Sequence, residues 1–216
     1  MRMKFLIIIL IFIFVKFSAA AQKTFSYQDK LFIYNLTIDS ALSADSVNYD
    51  CAVKSISIIK KSDDKLVWTI LPPENYFLCD LPQNQIFIVE DVNFDSINDI
   101  RLLQFLPASP NLPYYYWIYN PITKNFQRQK ALEEITSPEF DHNKQIITSF
   151  WRASCCDHGL SVYKYINGNP VLIKESEVAQ DLNDNKKYIT TVKKRVNGKM
   201  KLVKRTIAID KDASKD

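Results

Sequence analysis

The sequence predicts an all-β protein, a single antiparallel sandwich- or propeller-like domain of about ten short strands. Three observations predict it. Runs of Val, Ile, Tyr, Phe and Thr recur with turn signals roughly every 8–12 residues. Asn-Gly occurs at Asn167-Gly168 and Asn197-Gly198, and that dipeptide tolerates the positive φ angles of a two-residue hairpin turn. Helix-like spacing is confined to Ala131 to Ile135. No repeat of fixed period is visible, which counts against a propeller.

Taken in chain order, residues 1–21 read as an export signal. Arg2 and Lys4 form a basic start, Phe5 to Val15 is apolar, and Ala19-Ala20-Ala21 offers small residues for cleavage before Gln22. That apolar run is too short to span a bilayer comfortably. No cysteine follows the cleavage site, so no lipid anchor is expected. The mature chain is expected to be periplasmic or secreted, with no stable membrane insertion after cleavage. Residues 22–209 form the domain and 210–216 a frayed tail. Removing residues 1–21 takes away Arg2, Lys4 and Lys16 and no acidic residue, so the formal charge falls from +4 to +1. A nucleic-acid partner is not expected at that charge.

Phe32 to Ile38 reads as a strand, then Ala52 to Ile59 and Leu66 to Leu71, joined by a turn containing Ser62-Asp63-Asp64. Gln85 to Val89 enters an acidic loop and Ile100 to Leu106 leaves it. Tyr114 to Tyr119 follows, with Asn120-Pro121 opening a turn and Phe126 pairing back. Lys144 to Trp151, Ser161 to Ile166 and Val171 to Lys174 continue the series. Tyr188 to Val196 and Met200 to Ile209 make a terminal hairpin. The Lys and Arg residues between Lys186 and Lys204 alternate with apolar ones, the pattern of a solvated hairpin face.

Four cysteines in an exported chain point to disulfides. Cys51 and Cys79 lie in strand-like segments and are a reasonable pair. Cys155 and Cys156 are adjacent, so they form either a vicinal disulfide or separate links. Three connectivities remain open.

The segment Asp91-Val92-Asn93-Phe94-Asp95-Ser96-Ile97-Asn98-Asp99 carries the most chemical information. It places oxygen-bearing side chains at relative positions 1, 3, 5 and 9, and position 7 offers the backbone carbonyl of Ile97. Ca²⁺ takes about six to eight hard oxygens, and a tight loop presenting alternate side chains supplies most of them. The candidate metal set is therefore Asp91, Asn93, Asp95, Ile97 and Asp99. The loop is not an EF-hand, because Ser96 and Leu102 stand where that loop has glycine and glutamate. The plainer alternative is an Asp/Asn-rich turn.

No catalytic activity is expected. Cys155-Cys156-Asp157-His158 places a thiol near an imidazole, but catalytic Cys and His meet through the fold rather than as sequence neighbours. With only His142 and His158, a histidine-rich zinc site is also not expected. There is no glycine-rich phosphate loop and no Gly-x-Ser-x-Gly elbow. In Tyr114-Tyr115-Tyr116-Trp117, alternation puts Tyr115, Trp117 and Tyr119 on one face and Tyr114 and Tyr116 on the other. One face is expected in the core, and the other is a candidate platform for a sugar or a protein.

Several stretches together carry a resemblance. Glu90 to Asp95 with Asn98-Asp99 is followed by Tyr116-Trp117-Ile118-Tyr119-Asn120, Thr123-x-x-Phe126, Ser149-x-x-Arg152 and a Tyr-x-Tyr strand. This order, over roughly residues 85–175, resembles the periplasmic calcium-binding proteins of Gram-negative bacteria typified by a xanthomonad antidote to type IV-secreted lysozyme-like toxins. Those proteins are in turn similar to inhibitors of invertebrate-type lysozymes. The resemblance implies a Ca²⁺-stabilised immunity-like protein whose partner is a peptidoglycan hydrolase. It also implies occlusion of the enzyme's sugar cleft by a loop, placed at Ser154 to Ser161. Arg152, His158, Gly159, Ser161 and Tyr163 are the implied partner contacts, with Gly159 permitting a tight bend. Ser96 stands where that family has glycine, and the Cys155-Cys156 pair is a further departure. The alternative is a calcium-stabilised envelope module that binds a carbohydrate or protein and inhibits nothing.

Overall fold

The computed structural model describes residues 23–42 and 49–209. The expected signal, residues 1–21, and the expected tail, residues 210–216, lie outside the described residues. Within them the chain is all-β, arranged as three antiparallel meanders taken up in chain order.

The first sheet runs β1 (Lys23–Gln28), β2 (Phe32–Leu42), β3 (Tyr49–Lys60) and β4 (Lys65–Ile70), with β5 (Phe77–Leu78) paired to β3. Period-2 alternation sends Phe32, Tyr34, Leu36 and Ile38 inward from β2. On β3 the inward set changes parity, from Cys51 and Val53 to Ile56 and Ile58. The register shift opposite Thr37/Ile38 causes this, because the extra residue on β3 re-aims the side chains beyond it. Buried Asn75 braces that point. Its Nδ2 donates to the Val53 and Pro73 carbonyls, and its Oδ1 accepts from the Val53 N–H.

The second sheet runs β6 (Phe87–Glu90), β7 (Asp99–Leu103), β8 (Tyr114–Asn120) and β9 (Asn125–Arg128). The sequence places a strand at Gln85, but Gln83–Ile86 is a helical turn, α1. Pro82 sets its start, and its carbonyl accepts from the Gln85 N–H at 2.9 Å. The expected helical turn near Ala131 is α2 (Lys130–Glu133), which leads into the third sheet.

That sheet runs β10 (Pro138–Asp141), β11 (Ile146–Arg152), β12 (His158–Ile166), β13 (Asn169–Asp181), β14 (Asp184–Val196) and β15 (Lys199–Ile209). Asn167-Gly168 and Asn197-Gly198 turn its hairpins, all four residues having positive φ. β13 is far longer than Val171 to Lys174, because β12 and β14 pair it on both sides.

The first two sheets meet across an aromatic core. Phe32 lies 5.1 Å from Tyr119 and 5.7 Å from Phe126, and Tyr34 lies 5.8 Å from Phe87. The third sheet adds one fully buried aliphatic, Ile147, among the described residues, with Phe140, Tyr163 and Tyr165 packed against the cluster. Burying a Leu, Ile or Phe side chain stabilises by about 1.5–3 kcal/mol. Most of the burial energy therefore sits between the first two sheets. The β14–β15 hairpin, with Leu202, Val203, Ile207 and Ile209 exposed, adds little. Of the three connectivities open from the sequence, the structure has the one that pairs Cys51 with Cys79, their α-carbons 5.1 Å apart.

Candidate metal loop and partner loop

The acidic segment joins β6 to β7 as a tight coil wound around one carboxylate. Asp91 Oδ1 accepts the N–H groups of Phe94 at 2.7 Å and Asp95 at 3.2 Å, and Oδ2 accepts that of Ser96 at 2.8 Å. Phe94 and Ser96, two residues apart, both have φ of +68°, a left-handed conformation that between right-handed neighbours aims N–H groups inward. Asn93 Oδ1 accepts from Asp95 N, and Asp95 Oδ1 accepts from Ile97 N. Asn93 Nδ2 donates to Asp95 Oδ2 at 3.0 Å. Ser96 holds a backbone conformation that glycine adopts without strain, which is why glycine suits this position.

Asp99 closes the coil from below. Its carboxylate is fully buried, with Oδ2 accepting from Val92 N at 3.0 Å and Oδ1 from Tyr119 N at 2.9 Å. Loss of solvation is the largest influence on it and pushes its pKa up to about 7. The two amide hydrogen bonds oppose that rise, and the charges of Asp95 and Asp91 add to it.

The loop touches all three sheets. Asn98 Nδ2 donates to Asp29 Oδ2, and Asp29 also accepts the Tyr34 hydroxyl and the N–H groups of Leu31 and Phe32. Asp99 reaches β8 through the Tyr119 amide. Phe94 extends to the third sheet, its ring lying 5.5 Å from His142, 6.3 Å from Phe140 and 6.1 Å from Tyr165. His142 Nδ1 lies 3.7 Å from Asp91 Oδ2. Arg101 on β7 parallels this connection. It pairs with Glu90 at 2.8 Å, donates to the Pro138 carbonyl, and lies over the Tyr114 and Phe140 rings. Asp29, His142 and Arg101 carry no local motif, so only the fold brings them here.

As donors the loop residues are hard oxygens suited to Ca²⁺. Asp91, Asn93, Asp95, Ile97 and Asp99 do share one coil, but the side chains of Asp91, Asn93 and Asp95 accept loop amides, and Asp99 accepts those of Val92 and Tyr119. Among the described residues, no group of three or more His, Cys, Asp or Glu stands in metal-holding geometry. An open cleft of about 580 Å³ beside the coil is lined by Asn93, Asp95, Tyr119, Gln127, Arg128 and Tyr165.

The residues expected at a partner loop separate into two groups. Arg152 and His158 are cross-strand neighbours at the ends of β11 and β12, with Arg152 exposed and His158 half-buried. Gly159, Ser161 and Tyr163 are strand residues, not loop residues. Ser161 is buried and Tyr163 half-buried, since alternation turns both to the side of Ile147. Gly159 makes no bend. It lies within the ladder of β12, and the Trp151 indole fills the space of a side chain, its ring carbons 2.6 Å from where a Cβ would stand. The protruding turn is therefore residues 153–157.

The aromatic platform is not free either. Tyr114, Tyr116 and Trp117 are buried, so both faces of β8 are covered. Tyr115 is held by its hydroxyl to the Glu74 carbonyl and by the Arg128 guanidinium 4.8 Å from its ring.

The fold and site define an all-β protein: three meanders, the first holding the Cys51–Cys79 disulfide, with an aspartate-centred coil at the junction of the sheets. That fold is similar to one solved structure, described as a Xanthomonas type IV secretion system related protein. The two are 18% identical, with a TM-score of 0.61 over 86% of this chain and 98% of that one. No protein-family profile matches the chain, and no curated protein matches it.

Proposed function

We propose that this chain is an exported, Ca²⁺-stabilised binding protein that inhibits a peptidoglycan hydrolase of the lysozyme type. One observation carries it: the aspartate coil stands where three sheets meet, on a fold similar to that of a secretion-system related protein. A divalent cation held by Asp91, Asn93, Asp95, the Ile97 carbonyl and Asp99 would neutralise three crowded carboxylates there. Asp29, His142 and the Tyr119 amide then hold the braced coil against the first, third and second sheets. The role is structural, and binding to the folded state alone stabilises by about 2.7 kcal/mol at a hundredfold excess over the dissociation constant.

Inhibition would come from the turn at residues 153–157. Exposed Arg152, with the His158 imidazole beside it, presents a cationic guanidinium to the acidic residues of a glycosidase cleft. The Cys51–Cys79 bond supports an oxidising compartment. The test is lysis of a peptidoglycan suspension by a lysozyme-type enzyme, followed as turbidity, with the mature chain added in calcium or in chelator. Slowed clearing in calcium is expected. Unaltered clearing across lysozyme classes, under both conditions, removes the inhibitor reading.

The cleft beside the coil supports a second reading, a carbohydrate-binding module. Tyr119, Tyr165, Asn93, Gln127 and Arg128 combine ring faces with amide and guanidinium donors there. Retention on insoluble peptidoglycan without any effect on lysis would favour it.

A further inference from the structure

The turn between β11 and β12 carries the two cysteines left over by the Cys51–Cys79 bond. Their sulfurs lie 2.7 Å apart, inside van der Waals contact. The turn that presents them is braced by groups other than the thiols. The Asp157 carbonyl accepts the N–H groups of Ala153 and Ser154, and Ser154 Oγ donates to Asp157 Oδ2 at 3.0 Å. Ser154 Oγ also accepts from the Cys156 and Asp157 amides, while Asp157 Oδ1 accepts from Gln180 N on β13. Cys155 is exposed, and Cys156 is half-buried with its sulfur 3.8 Å from the Tyr188 hydroxyl. The pair is thus held together, reachable from solvent, and carried on a chain that already contains one disulfide.

We propose that Cys155 and Cys156 are a modification site, a vicinal dithiol that closes reversibly to a disulfide. The oxidant is a reactive disulfide, either glutathione disulfide or an oxidoreductase of the export compartment. One thiolate attacks a sulfur of that disulfide, giving a mixed disulfide and releasing the first thiol. The second thiolate then displaces the other half. One S–S bond forms and one breaks, two electrons pass to the oxidant, and the two protons leave on its thiols.

Geometry makes the bond easy to reopen. Adjacent α-carbons stand about 3.8 Å apart across a trans peptide, less than the roughly 4.4–6.8 Å that disulfides favour. Closing the small ring also turns the 155–156 peptide, whose N–H is bonded to Ser154 Oγ. The Ser154 carbonyl in turn accepts Arg152 Nε at 2.9 Å. Oxidation state therefore sets the shape of the protruding turn and the aim of Arg152, whatever partner the turn meets.

The full chain, exported through an oxidising compartment and incubated with glutathione disulfide, is unfolded at low pH without reductant. It is then alkylated, digested with trypsin and weighed. The peptide of residues 153–164 is expected unalkylated and lighter than the dithiol by two hydrogens. Mild dithiothreitol should convert it to the doubly alkylated form while the Cys51–Cys79 bond, whose Cys51 side is buried, stays closed. Cys156→Ser is expected to hold Cys155 as a glutathione mixed disulfide that the native pair resolves. The Cys155→Ser/Cys156→Ser double variant, altering only the turn, should melt as the native chain does and lose the mass shift. A doubly alkylated peptide before reduction would overturn the proposal. So would links from either cysteine to Cys51, Cys79 or a second chain, or a mixed disulfide equally persistent with and without Cys156.

Discussion

Asp99 offers a quantitative test of how the acidic coil is built. It is a fully buried carboxylate between two amide donors, Val92 N and Tyr119 N, and burial raises its pKa to about 7 from an ordinary value of 3.8. An acid whose folded-state pKa exceeds its unfolded one binds protons more tightly when folded. The metal-free protein should therefore lose stability as pH rises between those two values, with the full penalty present above the higher one. At about 1.4 kcal/mol per pH unit, going from pH 5 to pH 8 costs roughly 2–3 kcal/mol. Asp99→Asn keeps the shape and one acceptor oxygen but removes the charge, so this pH dependence should vanish. The orphaned amide should cost the variant about 1–3 kcal/mol where the native aspartate is protonated. Urea unfolding in chelator, followed by tryptophan fluorescence at both pH values, measures all four stabilities. The difference between the two pH slopes isolates Asp99 from His142 and the other carboxylates. Equal slopes for native and variant chains would refute the reasoning, as would a native chain that gains stability at pH 8 relative to the variant.

Asp95→Ala should lower the melting temperature in calcium and abolish the response to chelator; a native chain melting identically with and without chelator removes the metal. Gly159→Ala drives a Cβ into the Trp151 ring, so unfolding should become easier by about 1–3 kcal/mol, with shifted tryptophan emission. An unchanged urea midpoint would show that the indole moves aside freely. Cys51→Ser opens a link between residues 28 apart, which the chain-entropy account values at roughly 3–4 kcal/mol. Thermal unfolding of the variant checks this. The thiol–thiol contact raises the Cys155 pKa above its ordinary value, chiefly through the hydrogen bond with Cys156. In the reduced protein, alkylation of Cys155 should therefore accelerate at higher pH than in Cys156→Ser. Coincident pH–rate profiles would show that the contact does not persist in solution.

The sequence by itself determined what depends on neighbours along the chain. Alternation marked β2, β8 and β11, and Asn-Gly marked two hairpin turns, because side-chain direction and turn dihedrals are local properties. The same locality made the oxygens of residues 91–99 legible as one loop. Tertiary structure decided which of them face the core and what they hold. Asp99 is a buried brace for Tyr119, and that pairing spans twenty residues that no spacing rule connects. The bulge that reverses the inward parity of β3 depends on its pairing with β2, and the length of β13 depends on both its neighbours. Gly159 shows the limit most clearly. Glycine signals either a bend or a close approach, and only the position of Trp151 across the strand pair makes it the second.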